Sequence, residues 1–233
     1  MSDARRVHLV TGAGSGIGSA VARRLLERGD EVWLLARNAA RARQLAELHA
    51  GARTLVGDLA EPARLSWAIG HQSPPNRLDS LLHVAGTVEL GLVGDLTPKV
   101  WQETLAVNLM GPAELTRLLL PQLRLSRGSV VFVNSTSGLS VSGEWSAYGA
   151  SKFGLRALAD ALRAEEHAAG VRVTSVYPSR TATPMQQKVH QQEGKSYDPS
   201  RWIDPESVAT TVLAALDLPR DAELTDLTVR PGR

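Results

Sequence analysis

Thr11-Gly12-Ala13-Gly14-Ser15-Gly16-Ile17-Gly18 follows an apolar run, Val7-His8-Leu9-Val10, and leads into helical periodicity that begins at Ser19. Strand, glycine-rich turn and helix start, in that order, predict the first half of a β-α-β unit. Glycine takes left-handed dihedrals and offers no Cβ to block close approach, so such a turn brings backbone N–H groups against a phosphate at a helix start. A few neighbouring glycines on their own signal only a loop. Their place directly after the first strand is what points to a bound nucleotide.

Outward from this turn the pattern keeps alternating between short aliphatic runs and longer segments of helical periodicity. Strands are expected near Val7–Val10, Glu31–Ala36, Arg53–Val56, Ser80–Val84, Ser129–Asn134, Val171–Val176 and Leu227–Val229. Helices are expected near Ile17–Arg28, Ala39–His49, Pro62–His71, Pro98–Leu125, Ser146–Ala169 and Pro205–Leu216. Gly29 and Gly170 each stand between a helix and the next strand, where C-terminal capping glycines belong. This predicts an α/β fold, a doubly wound Rossmann-type seven-stranded parallel sheet with helices on both faces. One domain over residues 1–233 is expected. Within it the polar stretch Ser179–Asp204 reads as a mobile lid, because too little chain follows it to build a second domain.

Composition narrows the function classes. At 233 residues and 43% hydrophobic, the chain can bury a full core, and 4% aromatic content suits an aliphatic α/β sheet. With no cysteine there is neither a disulfide framework nor a Cys-ligated metal, and the six histidines lack metal-ligand spacing, so no metal is expected. Met1-Ser2-Asp3-Ala4-Arg5-Arg6 has no signal-peptide core and no apolar run approaches a bilayer span, which predicts a cytoplasmic protein with no membrane association. Basic and acidic residues nearly balance at a net charge of +2, without a basic patch interleaved with aromatics, so no nucleic-acid partner is expected.

In a doubly wound sheet the end of the second strand meets the adenosine ribose, and an NAD site usually carries Asp or Glu there. Here it reads Leu35-Ala36-Arg37-Asn38. Ala36 cannot accept from ribose hydroxyls, whereas Arg37 can pair with a 2′-phosphate through its fixed fork of donors, which favours NADP(H) over NAD(H). Asp58, after the third strand, is placed either to meet the adenine or to cap the helix near Pro62.

Tyr148 and Lys152 stand four residues apart in a helical segment, so phenol and ammonium share a face. A fixed cation stabilises phenolate, and the pair is suited to exchange a proton with a carbonyl or alcohol oxygen. Ser135 lies thirteen residues before Tyr148 at a strand end, and its hydroxyl, or that of Thr136 or Ser137, is placed to hold a substrate oxygen. Pro112 has no N–H, so the carbonyl of Asn108 loses its helical partner and the helix must bend or recruit water there.

Together these residues resemble the short-chain dehydrogenase/reductase family, in its shorter form, over essentially the whole chain. The family's T-G-x-x-x-G-x-G is similar to Thr11–Gly18, its catalytic Asn to Asn108, its Ser to Ser135 and its Y-x-x-x-K to Tyr148 and Lys152. The resemblance implies that Tyr148 is the general acid/base and that Lys152 lowers its pKa and binds the nicotinamide ribose. It implies that Ser135 orients the carbonyl and that the Asn108 backbone holds a relay water. It further implies cofactor contacts from Thr11, Gly12, Gly14, Ser15, Gly16, Ile17 and Gly18, from Arg37, Asp58 and Leu59, from Ala85 and Gly86, from Tyr148 and Lys152, and from Pro178 and Thr183.

Three departures stand out. His83-Val84-Ala85-Gly86 replaces the usual N-N-A-G, removing an Asn that braces the sheet; Pro178-Ser179 replaces P-G; and Ser15 stands where many NADP-preferring members are basic. The reading is an NADP(H)-dependent carbonyl reductase or alcohol dehydrogenase acting on a small molecule. A cofactor sensor without turnover is the alternative, against which the four intact residues speak; epimerase chemistry usually needs a larger carboxyl-terminal region. Trp145 is expected to pack. The helices near Pro98–Leu125 and Ser146–Ala169 are apolar on more than one face, which with the family's habit implies a homodimer or homotetramer.

Overall fold

The alternation is realised as β1 Val7–Thr11, α1 Gly16–Glu27, β2 Glu31–Ala36, α2 Ala39–Leu48, β3 Arg53–Val56, α3 Pro62–Gly70, β4 Ser80–His83, α4 Pro98–Leu105, α5 Gly111–Ser126, β5 Ser129–Val133, α6 Ser146–Glu166, β6 Arg172–Pro178, α7 Pro184–Gln192, α8 Pro205–Asp217 and β7 Asp226–Val229. The computed structural model describes residues 5–232; residues 1–4, read above for their lack of an apolar core, lie outside the described residues. All seven strands pair in parallel in the order β3-β2-β1-β4-β5-β6-β7.

Side chains alternate across a strand, and each face of this sheet must therefore be covered separately. Val10, Leu34, Val131 and Val176 point into one cluster with Val21 and Leu25 of α1, Leu45 of α2 and Val212 of α8. Their neighbours Leu9, Trp33, Leu55, Val130 and Phe132 point into the other, with Leu65 of α3, Leu115 and Leu119 of α5, and Leu155 and Leu162 of α6. Gly29 and Gly170 carry φ of +81° and +74°, the left-handed geometry expected at their helix ends.

The structure departs from the sequence reading in two elements. The helix expected over Pro98–Leu125, with a bend at Asn108, is divided there by a π-helical turn at Ala106–Met110, and the stretch Ser179–Asp204 contains α7 and a 3₁₀ turn at Pro199–Arg201. In α7 the side chain of Thr183 accepts from Gln186 N and Pro184 takes the first turn, a start signal hidden by the polar composition of the helix itself. Among the described residues no helix is long and apolar enough to cross a membrane, and no group of three or more His, Asp or Glu is placed to hold a metal.

Candidate active site

The strand order reverses between β1 and β4, and their carboxyl ends diverge into a cleft of about 920 Å³. Thr11 joins the two sides: its Oγ1 accepts from Val84 N and Ala85 N, both at 3.0 Å. Gly12 sits there at φ +72°, where a Cβ would lie 2.7 Å from the Ala85 backbone, so no other residue fits. A Cβ on Gly18 would lie 2.2 Å from the carbonyl of Gly12, which is why α1 can start directly under the turn. Ser15, the residue before α1, makes no side-chain cap bond, leaving the first-turn N–H groups at Gly16, Ile17 and Gly18 on the cleft wall.

At the end of β2, Arg37 is exposed and lines the cleft. A second arginine joins it that sequence reasoning missed. The guanidinium of half-buried Arg41 lies on the glycine turn, such that a Cβ on Gly14 would be 1.8 Å from its Nη2. Asn38, whose side chain accepts from Arg41 N at 2.8 Å, starts α2 and sets this position. The spacing Arg37–Arg41 around a helix cap was the available signal. Asp58 accepts from Ala60 N at 2.9 Å, while the residue preceding α3 is Glu61; of the two readings for Asp58, the helix cap is not the one adopted, and both Asp58 and Leu59 line the cleft. Ala85, Gly86, Pro178 and Thr183 line it as well, and the Thr183 methyl faces Gly16.

The other end of the cleft carries the titratable groups. Tyr148 and Lys152 are 6% and 3% exposed, with the Lys152 Nζ 5.7 Å from the phenol ring centre and donating to the Val133 carbonyl at 3.1 Å. Burial pulls the Lys152 ammonium down to about 8 and pushes the Tyr148 phenol up, the Ser135 hydroxyl acting in the opposite direction on the phenol. Ser135, Thr136 and Ser137 all line the cleft; Ser135 is the one that acts on the phenol.

Asn108 is 1% exposed and is the one expected catalytic residue outside the cleft wall. Within the π turn the Gly111 N–H reaches back to the carbonyl of Ala106, the bend that Pro112 forces. The Asn108 amide accepts from Thr87 N at 2.8 Å and donates to Thr87 O and to Ser151 Oγ at 2.9 and 3.0 Å. Ser151 Oγ in turn donates to Tyr148 O at 2.6 Å, so Asn108 braces the helical turn that presents the phenol. Asn134, noticed in the sequence only as a strand end, plays a matching part by donating to the Lys152 carbonyl at 3.1 Å.

His83 stands in for the missing sheet-bracing Asn. It is 2% exposed, stacks on Phe132 at 4.9 Å and bonds Thr116 Oγ1 at 2.8 Å, tying β4 to α5 and to β5. Over the cleft, α7 is clasped to the chain after β4 by Lys188, which donates to Val88 O and Glu89 Oε2 at 2.8 and 2.7 Å, and by Gln192, which also bonds Glu89. Val88, Tyr148 and Val189 pack there with Trp145.

These features fit a dinucleotide. Uncapped N–H groups at a helix start suit a pyrophosphate, and a buried ammonium with three donors and one protein acceptor suits ribose hydroxyls.

The family model for short chain dehydrogenases matches residues 6–194. A short-chain type dehydrogenase/reductase of Sinorhizobium fredii is 34% identical, the match covering 97% of this chain and 91% of that protein. Among solved structures, a short chain dehydrogenase of Escherichia coli CFT073 complexed with NADPH is 30% identical, covers 97% of both chains and superposes with a TM-score of 0.84. The 3-ketoacyl-(acyl-carrier-protein) reductase of Brucella melitensis complexed with NADH, at 24% identity and 98% coverage of both chains, shares the fold with a TM-score of 0.83. With its switch-point cleft, its glycine turn and this match over most of its length, the chain belongs to the short-chain dehydrogenase family of NAD(P)-binding oxidoreductases.

Proposed function

We propose that the protein is an NADP(H)-dependent oxidoreductase that interconverts a carbonyl compound and an alcohol. One observation carries this reading: a buried phenol, a buried ammonium and the Ser135 hydroxyl converge at the end of the cleft away from Arg37 and Arg41. A nicotinamide cofactor held in this cleft would supply the hydride in reduction and take it in oxidation. Ser135 and Tyr148 orient the substrate oxygen, and the Tyr148 phenol gives it a proton in reduction and takes one in oxidation. Lys152 would hold the nicotinamide ribose, and its positive charge favours the phenolate of Tyr148. The Asn108 main chain, in the π turn, holds a relay water.

Preference for NADP(H) is supported by Arg37 and Arg41 at the adenosine end and by Ala36 where an NAD site needs a carboxylate. We further propose a single domain with α7 as part of its lid, a cytoplasmic location and a homo-oligomer built on α4, α5 and α6.

NADPH oxidation with a panel of ketones and aldehydes tests the reading. Tyr148→Phe is expected to lower kcat by about 10²–10⁴-fold with the Kd for NADPH unchanged. Tight NADPH binding with no turnover of any carbonyl would replace the enzyme with a cofactor sensor. Arg37→Asp is expected to shift the kcat/KM ratio toward NADH, with Arg41→Ala acting in the same direction; an unchanged ratio in both removes the arginines from cofactor choice.

A further inference from the structure

Six charged side chains line the cleft wall among the described residues, Arg37, Arg41, Asp58, Glu103, Lys152 and Arg180; of these Lys152 lies 5.7 Å from the Tyr148 ring centre and Arg180 stands over Trp145. Opposite the hydroxyls of Ser135 and Ser137, one wall around the phenol is apolar. Trp145 meets the Tyr148 ring edge-on at 5.7 Å, and Val88, Val189, Leu90 and Met185 close around the pair. Arg180, two residues beyond β6, lies 6.0 Å from the Trp145 ring centre and 5.5 Å from that of Trp202.

Its fork is already occupied. Nη1 and Nη2 donate to the two carboxylate oxygens of Glu193 at 2.9 and 2.5 Å, in the bidentate geometry that is strongest for this pair. Glu193 is the residue that ends α7, its side chain is 8% exposed, and Lys195 adds a second cation at 3.3 Å. Arg180 holds the Glu193 carboxyl below its usual range. A substrate carboxylate entering this wall would have to take Arg180 from Glu193, leaving that buried carboxylate only the exposed Lys195 as a counter-ion.

We propose that the substrate is a neutral carbonyl compound with an apolar or aromatic substituent, and that Glu193, by occupying the fork of Arg180, excludes carboxylate-bearing compounds. This rests on the carbonyl reductase reading above. The lid helix then carries part of the specificity, since the counter-ion sits at its carboxyl end and arrives with it.

Three aldehydes of matched ring size test the assignment with NADPH: benzaldehyde, methyl 4-formylbenzoate and 4-formylbenzoate. The wild-type protein is expected to favour the two neutral aldehydes by about a hundredfold in kcat/KM. Glu193→Gln, which keeps the shape and removes the charge, should narrow that gap about tenfold, and Glu193→Asp should retain it. Benzoate titrated calorimetrically without cofactor should bind Glu193→Gln and not the wild type, and Arg180→Met in the Gln background should abolish that binding. A wild type that prefers 4-formylbenzoate, or a folded Glu193→Gln with an unchanged gap and no benzoate binding, overturns the proposal. If none of the aldehydes is reduced, the reductase reading fails, while the benzoate titration still decides whether Glu193 is what keeps Arg180 from an anion.

Discussion

Lys152 and Tyr148 share one face of α6, and burial drives both toward their neutral forms, the ammonium down to about 8 and the phenol upward. For a base with a depressed value, the charged form is disfavoured in the folded chain. Stability is therefore complete above the free-lysine value of 10.5 and is lost as pH falls toward 8. At neutral pH this residue is a stability cost retained for chemistry. Lys152→Met, of similar length and uncharged, is expected to raise the stability of the cofactor-free protein by about 1–3 kcal/mol in urea unfolding at pH 7 while removing activity. A destabilised variant would contradict the burial argument. The residue types of this site, Ser135, Tyr148 and Lys152, were legible from spacing. Their titration was not, because desolvation depends on the helix and loop that cover them. Arg41 and Glu193 escaped for the same reason, as each acquires its partner only when distant segments meet.

Among the elements, β4 and α5 show how a substitution is absorbed. His83 replaces an Asn, yet it bonds Thr116, stacks on Phe132 and has no partner on Nδ1 among the described residues. Burial alone holds its imidazole down to about 3. The unfolded chain takes up a proton near pH 6.5 and the folded chain does not, so this contribution is present above 6.5 and lost as pH falls toward 3. At pH 5 the loss amounts to about 2 kcal/mol. His83→Asn should flatten the dependence of Tm on pH between 6.5 and 4; an unchanged slope would show that other groups dominate acid unfolding. The bend between α4 and α5 is a second case. Pro112 told that a helical partner is missing, but only packing decided that the chain answers with a π turn, which aims the Asn108 amide at Thr87 and Ser151.

For the whole molecule, the two apolar clusters account for most of the long helices but not for all of their apolar surface. Leu118 and Leu158 remain half-buried, and Met110 and Phe153 are exposed at 54% and 42% on the π turn and α6. Light scattering is expected to give a dimer or tetramer, and Met110→Glu with Phe153→Glu a monomer with NADPH binding retained. A monomeric wild type would leave these side chains without a role in assembly.

By itself the sequence determined the strand order's raw material: seven aliphatic runs, the punctuation of Gly29 and Gly170, the glycine turn and the Tyr148–Lys152 pair. These are local, since hydrophobic period, φ preference and i,i+4 spacing act over a few residues. Tertiary structure alone decided that Lys188 and Gln192 of α7 clasp the chain after β4, that Arg180 is held by Glu193 and that the phenol is desolvated. Each depends on groups far apart in the chain meeting out of water, where the energy of a charge is set by its surroundings and not by its neighbours in sequence.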